Sequence, residues 1–150
     1  MSFLRRAVPA LMSVAVISSL MMVTAAQSAY AASCTAHASV TQLNNTQAAA
    51  GNYDTCDFFA DQIHVTVSLW WSNNPSGPWT KLGGGNSGNC YSVPIGGACG
   101  ITTANQTLPK DPCKYSYYLR GTGDGWALTT SGKTINVPVN QYVTPAGCFM

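Results

Sequence analysis

Hydrophobic and polar residues alternate along much of the chain, a pattern typical of β-strands with one buried face. The clearest case is segment 62–70, where four aliphatic residues alternate with Gln, His, Thr and Ser up to Trp70. This alternation predicts a long strand whose aliphatic side faces the core, and it places Trp70 on the opposite side. A weaker alternation predicts a first strand at 36–41.

Turn-forming residues separate the remaining strands. Further strands are predicted at 79–82, 89–94, 99–107, 114–121, 126–130 and 133–143. Gly, Pro and Asn clusters predict a polar connection at 44–52, a turn at 73–78, a strand end at 83–85 and a turn at 122–125. Pro138 indicates that the last strand lies at a sheet edge, because proline has no N–H to donate. The pattern therefore predicts an all-β fold, a single antiparallel β-sandwich of seven to eight strands.

The N-terminal segment has the composition of an export signal. A cationic start at 1–6 precedes an apolar, charge-free run at 7–24, and Ala-Tyr-Ala at 29–31 fits the small-residue cleavage rule. Since the run contains proline and several Ser/Thr and lacks a positively charged flank after it, cleavage is favoured over retention in the membrane. The sequence predicts a signal peptide at 1–31 and a secreted domain at 32–150 that does not span a membrane.

Charge then narrows the class of partner. The formal net charge of +2 comes from Arg5 and Arg6. The rest of the chain carries five cationic and five acidic side chains and no glutamate. Because a neutral domain lacks the basic field that a phosphate backbone requires, no nucleic-acid partner is expected.

Six cysteines follow the predicted cleavage site: Cys34, Cys56, Cys90, Cys99, Cys113 and Cys148. An even number of cysteines in a small exported domain predicts three disulfides. No C-x-x-C pair is present, so zinc is not favoured. The turn at 94–97 favours the pair Cys90–Cys99, and the other two pairings stay open.

A resemblance to a known class of domain supports this architecture. The segment IHVTVSLWWSNNPSGPWTKL resembles the central strand, turn and short return strand of immunoglobulin and fibronectin type III-like modules. The segment KYSYYLRGTGDGWALTTSG is similar to their penultimate strand and the turn after it. The match covers about forty residues and departs from antibody domains, because no cysteine lies in the strand before Trp70. It implies a fold and no activity.

Few residues offer catalytic or metal-binding chemistry. Asp54, Asp57 and Asp61 form a carboxylate group with a weak potential for calcium, and no other metal and no cofactor is predicted. His37 or His64 together with an aspartate defines the alternative hypothesis of a small secreted hydrolase.

Aromatic residues give the stronger functional signal. Trp70 and Tyr118 are predicted on strand faces opposite the aliphatic stripe, with His64 and Arg120 on the same faces. An outward aromatic side chain among amides and hydroxyls suits both a protein ligand and a carbohydrate ligand. The competing interpretation is that loops cover Trp70 and that it only stabilises the fold. Trp71 or Trp79 is expected to anchor the turn in the core.

The sequence thus favours a secreted, non-catalytic recognition protein, such as an inhibitor, an adhesion factor or an envelope-associated module. Its expected partner is a protein or carbohydrate ligand outside the cytoplasm, and the oligomeric state stays open. The hydrolase and a secreted toxin or antimicrobial protein are the alternatives.

Overall fold

A computed structural model describes residues 31–150 and shows an all-β domain in that range. The strands are β1 (Cys34–Gln42), β2 (Gln47–Cys56), β3 (Ala60–Ser72), β4 (Thr80–Val93), β5 (Ala98–Thr102), β6 (Gln106–Thr107), β7 (Tyr118–Thr129) and β8 (Thr134–Pro145). The predicted fold class is confirmed: there are two antiparallel sheets, eight strands and three disulfides. The predicted signal peptide lies outside the described residues, apart from Ala31. Within 31–150, no helix has the length and apolar character needed to cross a membrane.

The strands divide between two sheets. In one, which we call the β2 sheet, the order is β1-β2-β5, and β6 also pairs with β2. In the other, the β3 sheet, the order is β4-β3-β7-β8. Immunoglobulin sandwiches likewise place the central strand, the penultimate strand and the last strand side by side. As the proline at 138 predicts, β8 is an edge strand.

The core lies between the two sheets and is asymmetric. The inner face of β3 carries Ile63, Val65, Val67 and Leu69, each at most 1% exposed. The β2 sheet offers them mainly small side chains, namely Ala36, Ala48, Ala50, Cys56 and Cys99. Burial of an aliphatic side chain of this size contributes about 1.5–3 kcal/mol, so β3 is the main apolar contributor to the fold.

The predicted connection at 44–52 is wrong, because most of it belongs to β2. The inward-facing residues of β2 are Ala48, Ala50, Asn52 and Asp54, and all four are buried. Alanine, asparagine and aspartate are poor strand formers by themselves. Here pairing with β1 along nine residue pairs and burial against the opposite sheet override that weak propensity.

The predicted breaks at 83–85 and 122–125 are also wrong, since β4 and β7 run through both glycine-rich segments. β4 is irregular opposite Val67–Trp70, and β7 is irregular in its pairing with β8 between Gly123 and Gly125. Two of the three glycines in β7, Gly123 and Gly125, allow neighbouring groups to approach the strand closely. A Cβ at Gly123 would overlap the Asn52 side chain, and one at Gly125 would overlap the His64 carbonyl.

The disulfides join three different pairs of elements. Cys34–Cys56 links the start of β1 to the end of β2. Cys90–Cys99 links β4 to β5 and therefore connects the two sheets. Cys113–Cys148 links the segment before β7 to the segment after β8. Together they close both ends of the sandwich, and they include the pair that the turn at 94–97 favours.

Candidate functional site

The outer face of the β3 sheet carries all four residues predicted to bind a ligand. Trp70 on β3 lies directly opposite Arg120 on β7 and opposite Lys81 on β4. Tyr118 precedes Arg120 by two residues on the same strand, and His64 is six residues before Trp70 on β3. Strand alternation places all of them on the side away from the core.

Trp70 is partly exposed and held in place by its neighbours. Its indole Nε1–H donates to Thr122 Oγ1 over 2.9 Å. The guanidinium carbon of Arg120 lies 5.2 Å from the ring centre, and Lys81 Nζ lies 5.6 Å from it. Both cations are therefore within the range of cation–π attraction. Loops do not bury this indole, and two cations flank it.

Trp79 adds a second ring to this cluster. The Arg120 guanidinium carbon lies 4.5 Å from the Trp79 ring centre, so Arg120 contacts both indoles. The turn before Trp79 depends on Gly77, whose φ of 93° suits glycine, and an added Cβ there would meet the Trp79 ring. We call Trp70, Trp79, Lys81 and Arg120 the Trp70 cluster.

Trp71 is the tryptophan that anchors the turn in the core. It packs against the buried cluster that includes Leu69 and Leu119. Its ring meets Tyr117 edge to face, with ring centres 6.3 Å apart. The Tyr117 hydroxyl donates to the Lys110 carbonyl over 2.8 Å, which satisfies its polar end.

The Trp70 cluster has unbalanced positive charge. In the described part of the chain the one ion pair joins Lys114 to Asp111, so neither Lys81 nor Arg120 has a carboxylate partner there. Partial burial lowers the pKa of Arg120, and its buried Nε has no hydrogen-bond partner. A ligand group that carries negative charge would balance the charge of Lys81 and Arg120.

A second aromatic group lies at the other end of the same face. His64 stacks on Trp126 with ring centres 5.3 Å apart. Its Nδ1 lies 2.9 Å from Asn89 Oδ1, which also accepts a hydrogen bond from the Gln62 amide over 2.9 Å. This end of the face therefore combines aromatic rings with side-chain amides.

Polar residues with short side chains connect the two groups. Thr66 and Ser68 lie between His64 and Trp70 on β3, and the Thr66 hydroxyl donates to the Asp124 carboxylate. On β4 the corresponding positions are Ser87 and Gly84. The middle of the face therefore carries short, hydrophilic side chains, and bulky aromatic rings project at both ends.

Asp54 lies beneath this face, on the inner side of the β2 sheet. It is 0% exposed, and its Oδ2 has no hydrogen-bond partner. Burial raises its pKa to about 6; the Asn52 amide, which donates to Oδ1 over 2.9 Å, opposes that rise. The nearby Asp124 raises the pKa further, while His64 lowers it. Asp54 is therefore a buried acid with a raised pKa, and it lies in the core rather than on the outer face.

The structure does not bring the two histidines together. His37 lies on β1 in the β2 sheet, where it stacks on Tyr53 at 4.4 Å and contacts the Thr55 hydroxyl at 3.4 Å. His64 lies on the outer face of the other sheet. The core therefore separates the two histidines.

The suggested calcium group is not formed either. Alternation along β2 turns Asp54 inwards, whereas the exposed Asp57 accepts hydrogen bonds from the Ser33 backbone and hydroxyl. Those bonds lower the pKa of Asp57. Asp61 is exposed on β3. Among residues 31–150 no three acidic, histidine or cysteine side chains are grouped closely enough to hold a metal ion.

Sequence reasoning missed Trp79, Lys81 and Trp126 as members of this face. Lys81 could have been found from the turn at 73–78, because a hairpin places it opposite Trp70. Trp126 was hidden by the interpretation of 122–125 as a turn, which interrupts the alternation of β7.

Comparison with known proteins adds little to this geometry. No protein-family model and no curated protein matches the chain. A crystal structure of a protein from Archaeoglobus fulgidus aligns over 77% of this chain and 97% of its own, with 10% sequence identity and a TM-score of 0.36. A likeness of this size carries no argument about fold or function.

Proposed function

We propose that this protein is an exported, non-catalytic recognition module that binds its ligand on the outer face of the β3 sheet, centred on Trp70. The observation that carries the proposal is the Trp70 cluster, a partly exposed indole flanked by two cations that have no carboxylate partner in residues 31–150. Tryptophan and arginine are the residues most enriched at binding hot spots.

Export is supported by the cysteines. All six are paired in the described domain, and disulfides persist in oxidising compartments outside the cytoplasm. They also restrict the unfolded chain, typically by about 2–4 kcal/mol each, which suits a protein exposed to extracellular proteases.

Recognition is favoured over the hydrolase alternative by the placement of the acid–base groups. A hydrolytic site requires a base within hydrogen-bond reach of its partner beside a bound substrate. Here His64 contacts an amide, Asn89, and Asp54 is buried on the opposite side of the β3 backbone. The outer face instead presents aromatic surface and hydroxyl groups.

The proposal is tested by affinity capture from culture medium and from the cell-envelope fraction of the source organism. Tagged wild-type protein is compared with Trp70→Ala and with Tyr53→Ala. Tyr53 is 46% exposed on the outer face of the β2 sheet, so its variant removes an aromatic side chain from the opposite surface. We expect Trp70→Ala to lose the captured material and Tyr53→Ala to keep it. Near-ultraviolet circular dichroism establishes that both variants are folded, and equal capture by all three proteins rejects the site.

A further inference from the structure

We infer that the ligand of the Trp70 face is a glycan chain that places an acidic group at Lys81 and Arg120 and neutral, hydroxyl-rich sugar over Thr66 and Asp124. This inference rests on the proposed function and adds the class of ligand. It follows from the length of the face, the distribution of charge on it and the strands that form it.

The face has the length of several sugar units. His64 and Trp70 are six residues apart on the same side of β3, which corresponds to about 20 Å at roughly 3.3 Å per residue. Aromatic rings lie at both ends, with Trp126 beside His64 and Trp79 beside Arg120. Flat rings stack on the C–H faces of sugars, so two separated ring clusters suit an extended chain.

The floor between the rings suits hydroxyl groups. Thr66 and Ser68 on β3 and Ser87 on β4 are short and polar, and Gly84 adds no side chain at all. Asp124, held by the Thr66 hydroxyl, offers carboxylate oxygens that accept hydrogen bonds from sugar hydroxyls. The same carboxylate repels an anion, so the middle of the face selects a neutral unit.

Charge complementarity places the acidic unit at the Trp70 end. Lys81 and Arg120 lie on either side of Trp70, and neither has a carboxylate within ion-pair distance in the described range. A planar guanidinium and an ammonium are good partners for a carboxylate or a sulfate. The ligand is therefore acidic in the sugar unit at the Trp70 end and neutral in the unit over the middle of the face. An acidic glycan in which charged and neutral sugars alternate has this pattern.

The position of β3 in its sheet argues against a peptide ligand. An extended peptide binds most readily by adding a strand to a free sheet edge, whereas β3 and β7 are both central strands whose backbones pair on each side. A helical peptide requires an apolar groove, and the floor of this face is polar. An acidic peptide is thus the alternative that the experiment has to separate.

The test measures binding by titration calorimetry with three probes at low salt. They are a hexasaccharide alternating a uronic acid with N-acetylglucosamine, a neutral N-acetylglucosamine hexasaccharide, and hexa-aspartate. We expect the alternating glycan to bind best. Lys81→Glu should weaken that binding by on the order of tenfold, because a charge attraction at an exposed site becomes a repulsion. Lys133→Glu, the same change at an exposed turn, should leave it unaltered.

The outcomes separate this inference from the proposed function. If the neutral glycan or hexa-aspartate binds as well as the alternating glycan, if no glycan binds at millimolar concentration, or if Lys81→Glu and Lys133→Glu behave alike, the inference is overturned. In each of these cases the proposed function still stands when Trp70→Ala abolishes capture of the native ligand. It falls when that variant captures the ligand as well as the wild-type protein.

Discussion

The guanidinium carbon of Arg120 lies 4.5 Å from the ring centre of Trp79, so the residue just before β4 is held against β7, although β3 separates the two strands in the sheet. Because Arg120 also contacts Trp70, one side chain orders the surface of three strands. The same contacts that form the candidate site therefore also stabilise the fold.

This relationship predicts a measurable coupling between Arg120 and Trp79. Arg120→Met and Trp79→Leu should each lower the free energy of unfolding, and the double variant should lose less than the sum. The expected coupling is about 1 kcal/mol, a typical cation–π energy at a partly exposed site. Urea unfolding of the four proteins gives the value. A parallel cycle of Lys81→Met with Trp79→Leu serves as control, and a coupling no larger than in that control contradicts the stacking.

The buried carboxyl of Asp54 predicts that the free energy of unfolding falls as pH rises, which is the reverse of the usual effect of a carboxylate. Its pKa rises from the ordinary 3.8 to about 6 in the folded protein, so folding favours the protonated acid. The stabilisation by protonation is complete below pH 3.8 and is lost as pH rises through about 6. Two pKa units correspond to about 3 kcal/mol, the upper size of the loss between those values.

Replacement of this acid by its neutral analogue should remove the loss. Asp54→Asn should match the wild-type protein at low pH and exceed its free energy of unfolding at pH 8, by up to about 3 kcal/mol. Chemical denaturation at several pH values measures the difference. Asp61→Asn, which neutralises an exposed carboxylate, is the matched control. If Asp54→Asn and Asp61→Asn have the same pH dependence, Asp54 does not titrate as stated.

The glycine at 125 is expected to be sensitive to substitution. A Cβ there would meet the His64 carbonyl and the Asp54 carboxylate, so Gly125→Ala requires the two sheets or the bulge to move. Overpacking of this kind costs about 1–3 kcal/mol. Thermal unfolding should show a clear fall in Tm. Gly147→Ala is the control, since the nearest atom to its added Cβ is 4.0 Å away, and an equal change in both variants argues against the close approach.

The two central strands of the β3 sheet illustrate what a sequence can and cannot predict. The aliphatic alternation of β3 identified its core face and placed Trp70 outwards. β7 has the same parity on both sides of 122–125, yet its glycines suggested a turn. Glycine is required there because the Asn52 and Asp54 side chains approach β7 from the other sheet. The sequence of β7 alone does not reveal that contact.

The candidate site was also predicted only in part. Parity alone placed His64, Tyr118 and Arg120 on outward faces. The pairing of Trp70 with Arg120 depends on the register of two strands about fifty residues apart in the chain, and local alternation does not determine that register. β2 was not predicted because its inward side chains are small or polar. They are buried only because the opposite sheet packs against them.

The C-terminal segment is held by side-chain amides that replace backbone pairing. The Asn45 amide donates to the Phe149 carbonyl over 2.8 Å and accepts from the Phe149 N–H over 2.7 Å. Gln42 makes the equivalent pair with Gly147. The disulfide Cys113–Cys148 anchors the residue between them. The disulfide attaches the C-terminal segment to the domain, and the two side-chain amides fix its conformation.

Removal of one amide should loosen this segment without unfolding the domain. In Asn45→Ala the amide hydrogen of Phe149 should exchange with solvent at least about tenfold faster, because two hydrogen bonds of roughly 1 kcal/mol are lost. Exchange at Leu69 in β3 should be unchanged, since the disulfide keeps the chain attached and the core is untouched. Asn136→Ala, at an exposed position on β8, is the control. Exchange followed by NMR distinguishes the cases: an unaltered rate at Phe149 means that the disulfide alone orders the segment, and faster exchange at Leu69 means that the amide supports the whole fold.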